Sequence, residues 1–163
     1  QPWEPAWAED DLTRSAFRRR LGVYAREMEL GTAWPLFVFD PDEERLMGAM
    51  TLSNIRRGVA ETGTLGYWIG QPYAGQGVGT AAAKAMLGFA FSALKLHRVE
   101  AACVPTNQAS RRVLEKAGFR HEGLAKAYLK INGAWADHLL FGVIEDEFVP
   151  DPAASSSYTQ ETL

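Results

Sequence analysis

Residues 66 to 81 read GYWIGQPYAGQGVGTA, in which a β-like run leads directly into Gly75, Gly77 and Gly79 at alternate positions. Glycine costs up to about 1 kcal/mol per site inside a helix, so this spacing implies that bare backbone must come close to something. A strand, a glycine-rich turn and a helix in succession aim several backbone N–H groups and the positive end of a helix dipole at one point. That arrangement suits a phosphate group.

Spacing separates the sites that use this device. A P-loop needs a lysine after its last glycine, but Gly79 is followed by Thr80. A dinucleotide fingerprint begins well at Gly75 and Gly77, then meets Thr80 where its third glycine belongs. Glu100 lies at a suitable distance for a ribose contact, yet Ala101–Val104 carries the strand on past it. A purely structural turn explains the glycines less well than a bound diphosphate.

Around the loop the chain reads as α+β. Asp10 and Asp11 suit a helix start, and Phe17, Leu21, Tyr24 and Met28 recur at helical spacing through about Leu30. Arg18, Arg19, Arg20 and Arg26 fall mostly off that face and read as a solvated surface. Strands are expected at 36–40, 45–55 and 64–69, then a helix from Val78 to about Leu96 with Val78, Ala82, Ala85, Phe89 and Ala93 inward. A strand over His97–Val104 precedes a helix over Asn107–Ala117, in which Asn107 suits the N-cap and Gly118 the C′ position. Its inward residues are Ala109, Val113, Leu114 and Ala117. Strands near 122–131 and 135–145 then flank Asn132-Gly133, a strong hairpin signal. Three antiparallel-type strands are thus followed by a βαβ crossover. One domain over 1–149 is expected, with a tail over 150–163 (PDPAASSSYTQETL).

Composition bounds the function. The 163 residues are enough for one proper core, and a net charge of −3 argues against nucleic acid as the main partner. Cys103 is the sole cysteine, so no intramolecular disulfide forms and a reducing cytoplasm is the simplest setting. No apolar run reaches membrane-spanning length, no signal peptide is read at the start, and no metal site is expected. Cys103, Phe89, Phe91 and Phe119 read as core.

Two motifs together resemble a known family. YAGQGVGT after GYWI is similar to the pyrophosphate loop of the GNAT superfamily of acetyl-coenzyme A-dependent N-acetyltransferases, whose pattern is [RQ]-x-x-G-x-[GA]. Gly77 and Gly79 take its two small positions, while Ala74 departs from its first and removes one side chain that would help order the loop. About thirty residues on, NQASRRVLEKAGF (Asn107–Phe119) resembles the family's N-x-x-S-…-G-F helix. GFRHEG, the ending NGAWADHLLFGV and the opening PWEPAW are similar to the ribosomal-protein-alanine N-acetyltransferase (RimJ/RimL-like) branch.

The resemblance implies the GNAT fold, a mixed central sheet whose middle strands splay apart and which is flanked by helices. It places the family's first strand upstream of Gln1. It also implies that backbone groups of Trp68 and Ile69 pair with the pantetheine arm of acetyl-coenzyme A, that Gln76, Gly77, Val78, Gly79 and Thr80 wrap the diphosphate, and that Asn107 bonds the arm or diphosphate from the far side. A Cβ at Gly77 or Gly79 would then occupy space the phosphates need.

The implied reaction is direct attack of an amine on the thioester carbonyl through a tetrahedral intermediate. It needs a neutral amine, a donor for the oxyanion and a proton for the leaving thiolate. An α-amine, with a pKa near 8, is roughly a tenth neutral at pH 7, against less than about a thousandth for lysine. An enzyme for protein N-termini therefore needs only a weak base. Glu61, Glu122, Asp137 and His138 are candidates, none of them assigned; Leu129 stands where one relative carries a catalytic glutamate. Ser110 matches the position of a serine near the thioester sulfur, as a donor that relays a proton, and Tyr128 is expected near the acceptor groove. The expected acceptor is the N-terminal amine of a ribosomal protein. The alternatives are a small amine such as an antibiotic, polyamine or toxin-like compound, or a non-catalytic acyl-coenzyme A-binding module.

Overall fold

A computed structural model describes residues 9–150. The expected upstream strand, the tryptophan-rich opening segment and the tail from Asp151 all lie outside the described residues. A single mixed sheet of six strands runs in the order β1-β2-β3-β4-β6-β5. Its strands are β1 (Trp34–Phe39), β2 (Leu46–Arg56), β3 (Thr62–Ile69), β4 (Arg98–Cys103), β5 (Arg120–Ile131) and β6 (Ala134–Ile144). Helix α1 (Arg14–Glu29) lies against one face, α2 (Val78–Ser92) and α3 (Gln108–Ala117) against the other.

The antiparallel meander β1–β2–β3 and the β3–α2–β4 crossover appear as the turn signals predicted. Among the described residues β1 is an edge strand, where Pro35 is tolerated. The β5–β6 hairpin turns on Asn132 and Gly133, both at positive φ (48° and 85°), the geometry a tight hairpin demands.

One helix start and three inward faces differ from the sequence reading. Helix α1 begins at Arg14, because Thr13 accepts the Ala16 N–H as its cap. Asp10 and Asp11 instead reach along the helix to Arg19 and Arg20 at 3.4 and 3.3 Å. Phe17 is 43% exposed and Leu21 39%, so the α1 stripe is not packed flat on the sheet. The Phe17 and Tyr24 rings lie against that of Phe37, at centroid distances of 6.2 and 6.4 Å. The gap beneath is a groove.

Helix α2 buries Gly79, Ala83, Met86, Leu87, Ala90 and Phe91. Val78, Ala82, Ala85 and Phe89 are only half-buried, and Ala93 is exposed. The helix is apolar nearly all round, so periodicity does not fix its inner side. In α3, Leu114 and Ala117 are buried as expected, while Ala109 is exposed. Asn107 caps α3 by accepting the Ser110 N–H at 3.0 Å, and Gly118 closes it in the left-handed region at φ 107°. The core lies under these two helices, around Met50, Leu52, Leu87, Leu96, Val99, Leu114 and Phe141.

Candidate active site

The sheet opens between β3 and β4. Those strands run parallel and pair only at Thr62–Arg98, Gly63–Val99 and Thr64–Glu100. Strand β3 then continues to Ile69 with no partner on that side among the described residues, while β4 remains paired to β6 as far as Cys103–Leu139. The middle of the sheet is therefore splayed, as the resemblance implies.

Ladder parity decides which backbone groups face the opening. The Gly70 N–H donates to the Met47 carbonyl at 2.8 Å, which makes Met47–Gly70 a hydrogen-bonded pair. Counting in steps of two along the constant register makes Ala49–Trp68 such a pair too. Trp68 therefore spends its N–H and C=O on β2. Ile69 and Tyr67 turn theirs towards the opening. Of the two expected backbone partners for pantetheine, Ile69 faces the gap and Trp68 does not; Tyr67 stands in its place.

At the mouth of the opening, a short 3-10 turn (Gln71–Tyr73) leads into the glycine loop. Gly75 and Gly77 hold φ of 77° and 87°, with nothing within 4 Å of a Cβ built on either. Gly77 is the N-cap of α2 and has no side chain to cap it. The first intrahelical bond is Ala81 N–H to the Gly77 carbonyl, so the N–H groups of Val78, Gly79 and Thr80 have no helical acceptor. The Gln76 amide is turned back onto the Pro72 carbonyl at 2.7 Å, which fixes the loop from within. Gly79 differs from expectation: it is buried, and a Cβ there would sit 3.3 Å from both Ile69 Cγ1 and Val113 Cγ2. Its lack of a side chain lets α2 close on β3 and α3, whereas Gly77 borders open space.

Ser110 lies where α3 meets the gap. Its Oγ is 2.8 Å from the Tyr67 hydroxyl, and the Tyr67 hydroxyl also donates to the Ser110 carbonyl at 3.2 Å. Burial, only partly offset by the Ser110 hydrogen bond, pushes the Tyr67 phenol up to about 12. The Cys103 thiol, buried at the end of β4, is likewise pushed up by burial and partly pulled back by the nearby Ser110. Asn107 has its carboxamide oxygen committed to the α3 cap.

On the opposite face, Trp68 lines a cavity of about 740 Å³ between α1 and the strands β1–β3, together with Tyr24, Phe37, Thr51, Arg14 and the Asp11–Arg20 ion pair. Tyr128 is not among its lining residues; its ring packs 5.7 Å from that of His138.

The four candidate bases are otherwise engaged. Glu61 accepts from Arg57 at 3.0 Å and from the Gly58 N–H at 2.8 Å, which together hold its carboxyl below the usual range. It also precedes β3 by one residue, roughly 25 Å of strand from Ile69. Glu122 pairs with Arg98, which also holds Glu100 at 3.0 Å. Asp137 accepts the Ala127 N–H at 2.8 Å. His138 is buried, its Nδ1 3.0 Å from the Ala136 carbonyl oxygen. Among the described residues no His, Cys, Asp and Glu cluster has the arrangement to hold a metal ion. No helix there is long and apolar enough to cross a membrane.

Sequence reasoning missed Tyr67 and Gly48. Nothing in GYWI says which of its aromatics faces α3. Gly48 carried a readable signal, since an isolated glycine inside a strand marks close backbone approach. A Cβ there would meet the Trp68 carbonyl and come within 2.8 Å of Ile69 Cδ1.

Known proteins are similar to this chain in sequence and fold. The acetyltransferase (GNAT) domain family matches residues 1–120. The [ribosomal protein uS5]-alanine N-acetyltransferase of Escherichia coli is 35% identical over 150 residues, 92% of this chain and 77% of that one. A crystal structure of the ribosomal-protein-S5-alanine acetyltransferase of Vibrio fischeri superposes with a TM-score of 0.84 at 36% identity, covering 91% of this chain and 81% of that one. Mycobacterium smegmatis RimJ in complex with CoA-disulfide superposes at 0.85 with 35% identity, over 94% and 74% of the two chains.

Proposed function

The chain belongs to the GNAT family of acetyl-coenzyme A-dependent N-acetyltransferases, and from that premise we propose that its acceptor is the α-amine of a protein N-terminus, specifically that of a ribosomal protein. The observation that carries this reading is the cavity of about 740 Å³ on the α1 side of the splayed strands. Among the described residues, Arg14 and Arg20 line it against the single carboxylate of Asp11, which is itself paired with Arg20. A polycation such as a polyamine would meet like charge there. A peptide end, with one ionisable amine and a backbone of amides, would not. The names of the E. coli and V. fischeri relatives support the same acceptor class.

In this reading the diphosphate lies on the N–H groups of Val78, Gly79 and Thr80 with the loop of Gln76 and Gly77 around it, where the helix dipole favours negative charge. Pantetheine runs along β3 as a surrogate strand, bonded by Tyr67 and Ile69. Asn107 keeps the start of α3 in register, so that Ser110 reaches the sulfur. The amine arrives past Trp68 from the other face. An amine nitrogen attacks the carbonyl carbon, the oxyanion is held by the Ile69 N–H, the C–S bond breaks, and the amine's surplus proton leaves to solvent. A leaving thiolate, with an ordinary pKa near 8.5, asks for little more than a hydrogen bond, which Ser110 supplies. An α-amine is already neutral in a useful fraction at pH 7, consistent with four carboxylate and histidine candidates all engaged elsewhere.

The test is mass spectrometry of ribosomal proteins from cells with and without the gene, beside purified enzyme given acetyl-coenzyme A with a peptide panel and a small-amine panel. Loss of one N-terminal acetyl group in the deletion, and turnover of the matching peptide, is the expected result. Turnover confined to small amines overturns the proposal.

A further inference from the structure

We infer that Tyr67 is a positioning residue whose hydroxyl, hydrogen-bonded to Ser110 across the open arm of the sheet, determines where the Ser110 hydroxyl directs its own proton. The inference rests on the proposed role of Ser110 at the thioester sulfur and goes beyond it by assigning the group that orients that serine.

The geometry is a clamp. Tyr67 stands on β3 three residues beyond Thr64, the last position at which β3 pairs with β4. Its side chain leaves the strand on the α3 side, opposite Trp68, and ends 2.8 Å from Ser110 Oγ and 3.2 Å from the Ser110 carbonyl. From the other arm, Cys103 is buried at the end of β4, where Ser110 draws its thiol pKa back down against the effect of burial. The Ser110 backbone is pinned by Asn107 at 3.0 Å. The Ser110 hydroxyl is therefore held by a residue of a strand that borders the gap, on a backbone pinned at the helix cap.

Proton counting gives the consequence. A phenol has one proton to donate. When Tyr67 donates it to the Ser110 carbonyl, Ser110 donates to the phenol oxygen and faces away from the gap. When Tyr67 donates it to Ser110 Oγ, the serine proton is released to a third acceptor. Sulfur in the gap is that acceptor, and negative charge developing on it draws the pair into the second arrangement. Tyr67 does not itself protonate the thiolate: with its phenol near 12, transfer to a sulfur of ordinary pKa near 8.5 is uphill. It orients and polarises, and the proton count of the leaving group is unchanged.

The experiment uses the intact enzyme, with free coenzyme A as the probe. Tyr67→Phe, Ser110→Ala, Ser110→Thr and the pairs combining Tyr67→Phe with each Ser110 change are compared by kcat, by KM for acetyl-coenzyme A, and by the thiolate absorbance of bound coenzyme A against pH. The titration is run in a Cys103→Ala background, because Cys103 is the other thiol against Ser110, with Arg111 and Glu115 acting on it. Tyr67→Phe should lower kcat roughly three- to tenfold, the worth of one neutral hydrogen bond, with KM within twofold. The bound thiol should ionise at higher pH than in the parent, an effect that loosened packing alone would not produce. Adding Tyr67→Phe to Ser110→Ala should cost nothing further, while adding it to Ser110→Thr, which keeps the hydroxyl, should again lower kcat.

Unchanged kcat and unchanged thiol titration in Tyr67→Phe overturn the inference, as do losses that multiply in the Tyr67→Phe/Ser110→Ala pair. If the parent enzyme binds coenzyme A by calorimetry while these effects are absent, only the Tyr67 assignment falls. Absence of binding to the parent defeats the functional reading with it.

Discussion

Gly77→Ala separates the backbone's needs from the ligand's. A non-glycine residue in the left-handed region costs about 1–2 kcal/mol, and Gly77 sits at φ 87° with no atom within 4 Å of the added methyl. Folding should therefore lose about that much and no more. For a chain of this size it lowers Tm by roughly 2–8 °C. Gly118 provides a matched control, since it has φ 107°, is equally open around its Cβ, and ends α3 at its far end from Ser110. Gly77→Ala and Gly118→Ala should thus melt alike. They should differ in coenzyme A affinity, because only the first methyl is carried by the loop that leads into the uncapped N–H groups of α2. Displacing one charge-assisted hydrogen bond, worth about 1.5–3 kcal/mol, weakens binding about 10- to 150-fold. Calorimetric titration with coenzyme A on both variants, alongside thermal melts, gives both quantities. Equal affinities in the two variants would refute the assignment of the loop to the diphosphate.

Ser110→Ala should lower kcat more than it changes the affinity for acetyl-coenzyme A; steady-state kinetics with an unchanged kcat would remove Ser110 from the chemistry. Gly48→Ala drives a methyl into the Trp68 carbonyl and Ile69, an overpacking that costs about 1–3 kcal/mol and displaces the strand bordering the gap. Thermal melts should show the loss and KM for acetyl-coenzyme A should rise; parental values for both contradict the close approach. Glu61 is held below its ordinary 4.5, first by the Arg57 hydrogen bond and then by the Gly58 N–H. Its folded pKa is the lower one, so its stabilisation is present above 4.5 and fades as pH falls through the folded value. Urea titrations of parent and Glu61→Gln should differ at pH 7 and converge on acidification, and a pH-independent difference would dismiss the pairing.

The glycine loop, the Asn107 cap, the Gly118 stop and the Asn132-Gly133 turn were legible because each is a backbone requirement met by a particular residue type at a fixed spacing. The inner face of α2 was not, since a helix with apolar residues on all sides carries no periodic contrast. The α1 stripe misled for a related reason: Phe17 and Leu21 have the spacing of a buried face but overhang a groove, and periodicity cannot distinguish a core from a cavity wall. The alternation in GYWI says that Tyr67 and Trp68 point opposite ways, but only the position of α3 tells which of them meets Ser110. Register, too, lies beyond composition. Which of Trp68 and Ile69 turns its amide to the gap follows from the single bond between Gly70 and Met47.

Three residue pairs join β1–β2–β3 to β4–β6–β5, and every other rung between the two halves is missing. The sheet is thus two panels joined along a short seam, and in the proposed binding mode a pantetheine chain lying in the wedge would supply the absent rungs. Coenzyme occupancy and the rigidity of the whole sheet then become one quantity: at a hundredfold excess over Kd the bound state gains about 2.7 kcal/mol against unfolding, and both panels resist opening together.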